Sequence, residues 1–273
     1  MLPGLEPSST GLPGLELAQL TGLTLQFLFA MLRIGAFAVS APLFAARFIS
    51  LPVRIIFAVC LTVSLIGNVP LPPPDALASL SSVTWALREL AIGLAAGLLL
   101  QILFAAAVIA GDRIANTAGL GLAAQVDPAT GSQSPVIGQF LMLFLLAVFV
   151  TQDGHLAALR LVLESYRLVP VGAQVNGAAL TEAGLAAAGD MFRDAARIMM
   201  PVVSVLLLLN FVIGVITRSA PTLNIFAFGF PLMMSVTLLL LFFTVSVLGG
   251  TFSGLVAQAL QHLIEMLNGL TNG

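Results

Sequence analysis

The sequence predicts an all-α integral membrane protein. About six apolar, kinked helical segments are expected, with a Gly-rich re-entrant segment between the third and the fourth. Three observations predict this. Hydrophobic residues make up 59% of the 273 and charged residues only 8%, against roughly 45–50% and 25% in soluble domains. Mean hydropathy is +1.09. Uncharged stretches run over 17–32, 34–46, 55–74, 90–111, 128–152, 198–217 and 219–264, where a spanning helix needs about 20 mostly apolar residues. Ten basic and 12 acidic side chains cannot coat a soluble globule of this length. A soluble enzyme, a disordered chain and a nucleic-acid binder are all disfavoured, and a pI near 5.6 gives no footprint for a polyanion.

The elements follow in order. Residues 1–16 read as a flexible tail. They repeat Leu-Pro-Gly-Leu-Glu at 2–6 and 12–16, Pro and Gly oppose regular structure there, and the basic start of a secretory signal is missing. Candidate spans are 17–41 (interrupted by Arg33), 55–71, 90–110, 136–151, 198–216 and 222–248. The uncharged stretch 219–264 would measure about 69 Å as one helix at 1.5 Å per residue, more than twice the hydrocarbon core. The sequence therefore predicts breaks, at Gly229-Phe230-Pro231 and at Gly249-Gly250. Two segments read as amphipathic rather than spanning. In 178–197, Asp190, Arg193, Asp194 and Arg197 share a helical face. In 251–270, Leu255, Val256, Leu260, Leu263, Ile264 and Leu267 oppose Gln258, Gln261, His262 and Glu265. Orientation is poorly encoded. Arg47, Arg54, Arg113 and Arg218 fit one serpentine of spans, and Arg160, Arg167, Arg193 and Arg197 contradict it.

Charges inside apolar runs are costly, at about 2.5–3.5 kcal/mol for an Arg at a helix centre. Arg33 lies in such a run. Arg88-Glu89 precede the 22-residue uncharged run 90–111 and Asp112-Arg113 follow it. Neighbours on a helix do not face each other, so each needs its own partner. The readings are a proton or ion path, buried pairs joining helices, or charges at span ends that reach water. Small residues mark close helix contacts. Gly93 and Gly97, and again Gly250 and Gly254, have the Gly-x-x-x-Gly spacing that lets backbones approach in lipid.

Two stretches stand apart. Residues 111–135 are rich in Gly, Ala, Thr and Ser, with a break at Asp127-Pro128. Irregular backbone at membrane depth survives only when buried in protein or lining a cavity. A re-entrant or gating segment and an ordinary connection with a short helix both fit. Residues 218–231 carry Pro221, Asn224, Phe226, Phe228, Gly229, Phe230 and Pro231. Pro and Gly preclude one regular helix there, Asn224 needs a polar partner at depth, and the Phe residues offer rigid contacts. A tight hairpin between spans fits as well.

Hydrolytic chemistry has no visible constellation. The sequence holds no His-Glu-x-x-His, Gly-x-Ser-x-Gly or Walker motif, and its ten basic residues are all Arg. Cys60 is the single cysteine, and His155 and His262 lie 107 residues apart. No metal, cofactor or catalytic residue is expected.

These stretches, taken in order, resemble the FliR family of flagellar export-gate subunits and their counterparts in virulence type III secretion. The matching residues are Arg33, Pro42, Pro52 and Arg54; Glu89, Gly93 and Gly97; Gly111, Gly119 and Asp127-Pro128; Asp153-Gly154-His155, Ser165 and Pro170; Pro201, Asn210, Gly214 and Arg218; and Pro221, Asn224-Ile225-Phe226 and Gly229-Phe230-Pro231. The resemblance runs from about Leu17 to Leu267. It implies one membrane domain over 17–273, with a FliP-like part at 17–135 and a part at 136–273 that includes a FliQ-like hairpin. It implies helices arranged as hairpins in a hetero-oligomer with FliP and FliQ, docked to FlhB and FlhA in the bacterial inner membrane at the flagellar basal body. Through that assembly unfolded flagellar subunits would pass. It further implies that the part of 111–135 matching 111–130 is similar to a plug loop; small apolar side chains on Gly-rich backbone suit such a seal, so Gly119, Leu120, Gly121 and Leu122 are expected at the constriction. The hairpin 221–231 and the helix 251–270 are expected to meet partner subunits. A stand-alone secondary transporter and the equivalent subunit of a virulence injectisome are the alternatives.

Overall fold

The computed structural model describes residues 17–44, 49–67, 69–120, 136–219 and 229–271, and these form helices and turns with no strand among them. Eight helices follow in order: α1 (Leu17–Ser40), α2 (Leu51–Leu65), α3 (Pro74–Leu77), α4 (Ser82–Thr117), α5 (Val136–Thr151), α6 (Gly154–Leu168), α7 (Ala178–Ser219) and α8 (Phe230–Gly269). Four of them, α1, α4, α7 and α8, are long and apolar enough to cross a membrane. A fifth span arises if α5 and α6, bent by 66° at their junction, count as one. The fold is the expected all-α membrane class, with four or five spans among the described residues rather than about six.

Local chemistry explains the boundaries. Helix α2 starts after an extended Ser50 with Pro in its first turn, where a missing N–H costs nothing. It ends before Gly67 at φ +103°, and its 15 residues measure about 22 Å. The expected span 55–71 is therefore too short to cross. Between α5 and α6 the chain turns on Asp153 at φ 55°. A Cβ on Gly154 would collide with the Phe149 ring, so only glycine closes this corner. Helix α7 is started by Asn176, whose Oδ1 accepts from Ala178 N at 3.1 Å, as an N-terminal cap does.

Three expectations are corrected. Segments 178–197 and 198–216 are one helix of 42 residues that runs through Pro201. A proline removes one hydrogen bond, and neighbouring helices can offset that loss. At Gly249-Gly250 the chain stays helical within α8. Glycine lowers helix propensity by about 1 kcal/mol, too little to stop a helix packed along its length. Residues 111–117 continue α4 rather than opening an irregular segment.

Helix α4 is the axis of the molecule. Its apolar window is 56% buried, against 22% for those of α7 and α8. Leu99, Leu100, Leu103, Phe104, Ala106, Ala107 and Ala110 are all at 2% exposure or less. The many Ala and Gly keep α4 thin, so helices can surround it closely. Phe104 meets Phe149 of α5 edge to face at 5.2 Å between centroids, a favoured aromatic geometry. A smaller core joins Phe29, Ile34, Ala58, Leu65, Leu77, Tyr166 and Val171 beneath α2 and α3.

Candidate functional site

Two polar constructions stand near opposite ends of α4. The first is an ion-pair node around Arg33, which is fully buried. Its Nε donates to Glu89 Oε2 at 2.8 Å and its Nη2 to Glu89 Oε1 at 2.9 Å. Nη1 donates to Ser165 Oγ and Nη2 also to the carbonyl of Val169, both at 2.8 Å. Such a fork-to-fork pair is the strong form of a charged hydrogen bond. The guanidinium also lies over the Tyr166 ring, 4.3 Å from its centroid, and the Tyr166 hydroxyl donates to Ala30 O at 2.6 Å. Arg33 comes from α1, Glu89 from α4, and Ser165 and Tyr166 from α6. One buried charge thus locks three helices.

Glycines set the spacing that this lock needs. A Cβ on Gly93 would come within 2.8 Å of Ala36 Cβ. One on Gly97 would come within 2.7 Å of Ala41 N. Helix α1 therefore lies on the Gly93–Gly97 face of α4 in backbone contact. Gly250 and Gly254 have no atom within 4 Å of an added Cβ among the described residues. Arg88, next to Glu89, points elsewhere and donates to Ala173 O at 3.3 Å. Asp112 is half-buried and Arg113 exposed toward the other end of α4, and neither joins the Arg33 node.

The second construction is the neck of the predicted gate segment. Helix α4 stops because Gly119 takes φ +85°, the left-handed turn at which glycine ends helices. Ala118 N donates to Ile114 O and Gly119 N to Asn116 O. Asn210 of α7 donates its Nδ2 to the carbonyl of Thr117 at 3.1 Å. The nearest atom to a Cβ built on Gly119 is Phe230 Cδ2 of α8, at 3.7 Å. Leu120 packs on the main core. Just above, α4 and α5 meet backbone to backbone, where a Cβ on Gly111 would sit 2.8 Å from the carbonyl carbon of Ile137 and closer still to Gly138. The chain on either side of the predicted gate segment is thus held together where α4 and α5 meet.

Of the predicted gate residues, Gly119 and Leu120 lie in this neck, while Gly121, Leu122, Asp127 and Pro128 lie outside the described residues. Of the predicted hairpin, Gly229, Phe230 and Pro231 open α8, while Pro221, Asn224, Phe226 and Phe228 lie outside. The structure brings together the two stretches that the sequence singled out separately, through Gly119 and Phe230.

Sequence reasoning missed two pairings. Asp190 of α7 accepts from Gln258 Nε2 at 2.5 Å and lies 2.9 Å from His262 Nε2, both on α8, while Arg193 holds its other oxygen. The polar stripes of 178–197 and 251–270 were both legible, but not that each is the partner of the other. The Asn210–Thr117 contact spans 93 residues, and a lone Asn in an apolar run gave no sign of its direction. Among the described residues no group of three His, Cys, Asp or Glu could hold a metal ion.

Comparison with known proteins agrees with this architecture. Residues 24–259 match the family model described as bacterial export proteins, family 1. The chain is 30% identical over 251 residues to the flagellar biosynthetic protein FliR of Pectobacterium carotovorum subsp. carotovorum, covering 90% of this chain and 94% of that protein. It is 32% identical over 225 residues to the flagellar biosynthetic protein FliR of Bacillus subtilis (strain 168), covering 81% and 86%. The surface presentation of antigens protein SpaR of Shigella flexneri matches at 30% identity over 143 residues, 51% of this chain and 54% of that one. With its apolar helices wrapped on α4 and the family's motifs running in order along it, the chain belongs to the FliR family of bacterial export proteins.

Proposed function

We propose that this chain is a multi-pass membrane component of a bacterial flagellar export apparatus, and within it a structural, channel-forming subunit of the type III export gate. Its relatives over four fifths or more of its length are named flagellar biosynthetic proteins, whereas the virulence counterpart SpaR matches over about half. This favours the flagellar reading over an injectisome. The unfolded flagellar subunits would cross the inner membrane through a pore shared with FliP and FliQ, next to FlhB and FlhA.

The observation that carries the gate reading is the neck. A polypeptide pore must hold back ions and still pass chains of any sequence. Small apolar side chains on glycine-rich backbone close a path without binding particular charges, and glycine permits the dihedral changes of opening. Gly119 and Leu120 are uncharged, lie at a forced helix end and are flanked by α7 and α8.

Co-expression with FliP and FliQ of the same source, extraction in mild detergent and native mass spectrometry test the reading. One assembly containing all three is expected. A chain recovered alone would return attention to a stand-alone transporter, with the Arg33–Glu89 node as its candidate ion site. Deleting residues 119–122 should raise ion leak through the assembled complex, and unchanged conductance would reject the gate. Phe226→Asp or Phe230→Asp should block co-assembly, and normal recovery of both variants would remove the hairpin from the interface.

A further inference from the structure

Among the described residues, every side-chain hydrogen bond between α7 and α8 converges on one carboxylate. Asp190 Oδ2 accepts from Gln258 Nε2 at 2.5 Å and lies 2.9 Å from His262 Nε2, while Arg193 holds its Oδ1. On the other edge of the imidazole, Nδ1 lies 3.9 Å from Glu265 Oε2. Both ring nitrogens of His262 therefore face a carboxylate oxygen. A neutral imidazole carries one N–H and one lone pair, so either tautomer turns a lone pair toward one of the two carboxylates. The imidazolium carries N–H on both sides and faces each carboxylate with a donor.

The local charges agree. Asp190, Arg193 and Glu265 sum to one negative charge, which an imidazolium cancels. Asp194 and Arg197, farther along α7, pair with each other at 3.1 Å. The other helices packed on α8 are α4, α5 and α6, and they leave this balance untouched. Helix α5 has no charged residue. Arg88, Glu89, Asp112 and Arg113 of α4, and Arg160, Glu164 and Arg167 of α6, form no ion pair with His262, Asp190 or Glu265. The His262 side chain is 10% exposed, while those of Arg193 and Glu265 are each 59% exposed, so protons reach the junction from water. From this geometry we infer that His262 makes the α7–α8 junction a proton-sensitive clamp, tightened when the imidazole takes up a proton between Asp190 and Glu265. Histidine changes charge between about pH 5 and 8. The folded junction favours the proton relative to the unfolded chain, so the added stability is full on the acid side of that range and is lost as pH rises through it. This inference is independent of the gate reading.

Melting of the detergent-extracted full chain from pH 8 to pH 5.5 tests it, for the unaltered chain, His262→Gln and His155→Gln. His262→Gln keeps a donor for Asp190 and takes up no proton. His155 is the other histidine of the chain, so His155→Gln leaves His262 as its single imidazole. The advantage of the unaltered chain over H262Q should grow by about 2–4 °C as pH falls over this range, and H155Q should keep the same gain. An advantage over H262Q that stays constant or shrinks with acid makes His262 a packing residue and overturns the inference. A flat profile for H155Q overturns it as well, and decides the matter alone if H262Q is not recovered folded.

Discussion

At the scale of single residues, the one fully buried cation among the described residues, Arg33, lies where three helices meet. Arg33 uses four hydrogen bonds, two to Glu89 and one each to Ser165 and Val169. A buried pair is weak evidence for net stability, because desolvation of both ions offsets their attraction. Breaking it is another matter, since the remaining charge is stranded. Arg33→Met or Glu89→Gln should each destabilise the protein by about 3–5 kcal/mol. The double change Arg33→Met with Glu89→Leu should recover most of that loss. Thermal melting of the detergent-extracted protein measures this. A double variant as unstable as either single one would mean that the charges do more than satisfy each other. The same scale explains why Arg88 and Glu89, adjacent in sequence, part company: Glu89 turns inward to Arg33, and Arg88 reaches the Ala173 carbonyl.

At the scale of elements, two glycine pairs with the same spacing meet different surroundings. Gly97 lies against Ser40, the last residue of α1, and Ala41 just after it, so any larger side chain drives the helices apart. Gly97→Leu should cost about 1–3 kcal/mol through overpacking and lower the melting temperature of the chain itself. Gly250→Leu meets open space among the described residues and should leave that melting temperature nearly unchanged. It should instead reduce recovery of the complex if a partner helix packs there. Normal recovery would remove the Gly250–Gly254 face from the assembly. Helices α7 and α8 are each held at one end by Asp190 with Gln258 and His262. Farther along they meet the neck of α4, through Asn210 and Phe230 respectively. Each is therefore long enough to connect a polar junction toward one end with the neck of α4 toward the other.

At the scale of the whole molecule, the distribution of burial is uneven in a way that implies a cover. Helix α4 is enclosed, while α7 and α8 show large apolar side chains outward, with Leu208 at 64% and Phe242 at 75% exposure. Lipid or partner helices must take up these faces, because contiguous apolar surface of this kind is not left to water. Cys60 is the only cysteine, so Cys60→Ser provides a clean background for labelling. Cysteine placed at Leu208 or Phe242 should react with a lipid-phase thiol probe in the isolated chain and be protected at one or both sites in the complex. Equal labelling of both sites in the two states would mean that lipid alone covers these helices. From Glu89 to Thr117 the anchor and the neck stand about 42 Å apart along α4. A change at one end reaches the other only through a rigid helix.

The sequence by itself determined the class of the fold, because composition and the spacing of charges fix which segments avoid water. It located Val136–Thr151 at both ends, and it marked Arg33, Glu89, Gly93 and Gly97 as costly or close-packed positions. The order of its motifs also carried the family. It misjudged where long helices stop. A proline at 201 and the glycine pair at 249–250 weaken helix locally, but packing along tens of residues outweighs them. Only the tertiary structure decided who faces whom. Arg33 could have paired with any of several carboxylates, and the polar stripes of α7 and α8 had no visible partners. Asn210 showed no direction until α7 was laid against the end of α4. Periodicity along one helix specifies which face is polar. The partner of that face is set by contacts between residues 50 to 140 positions apart, and these exist only once the helices have packed.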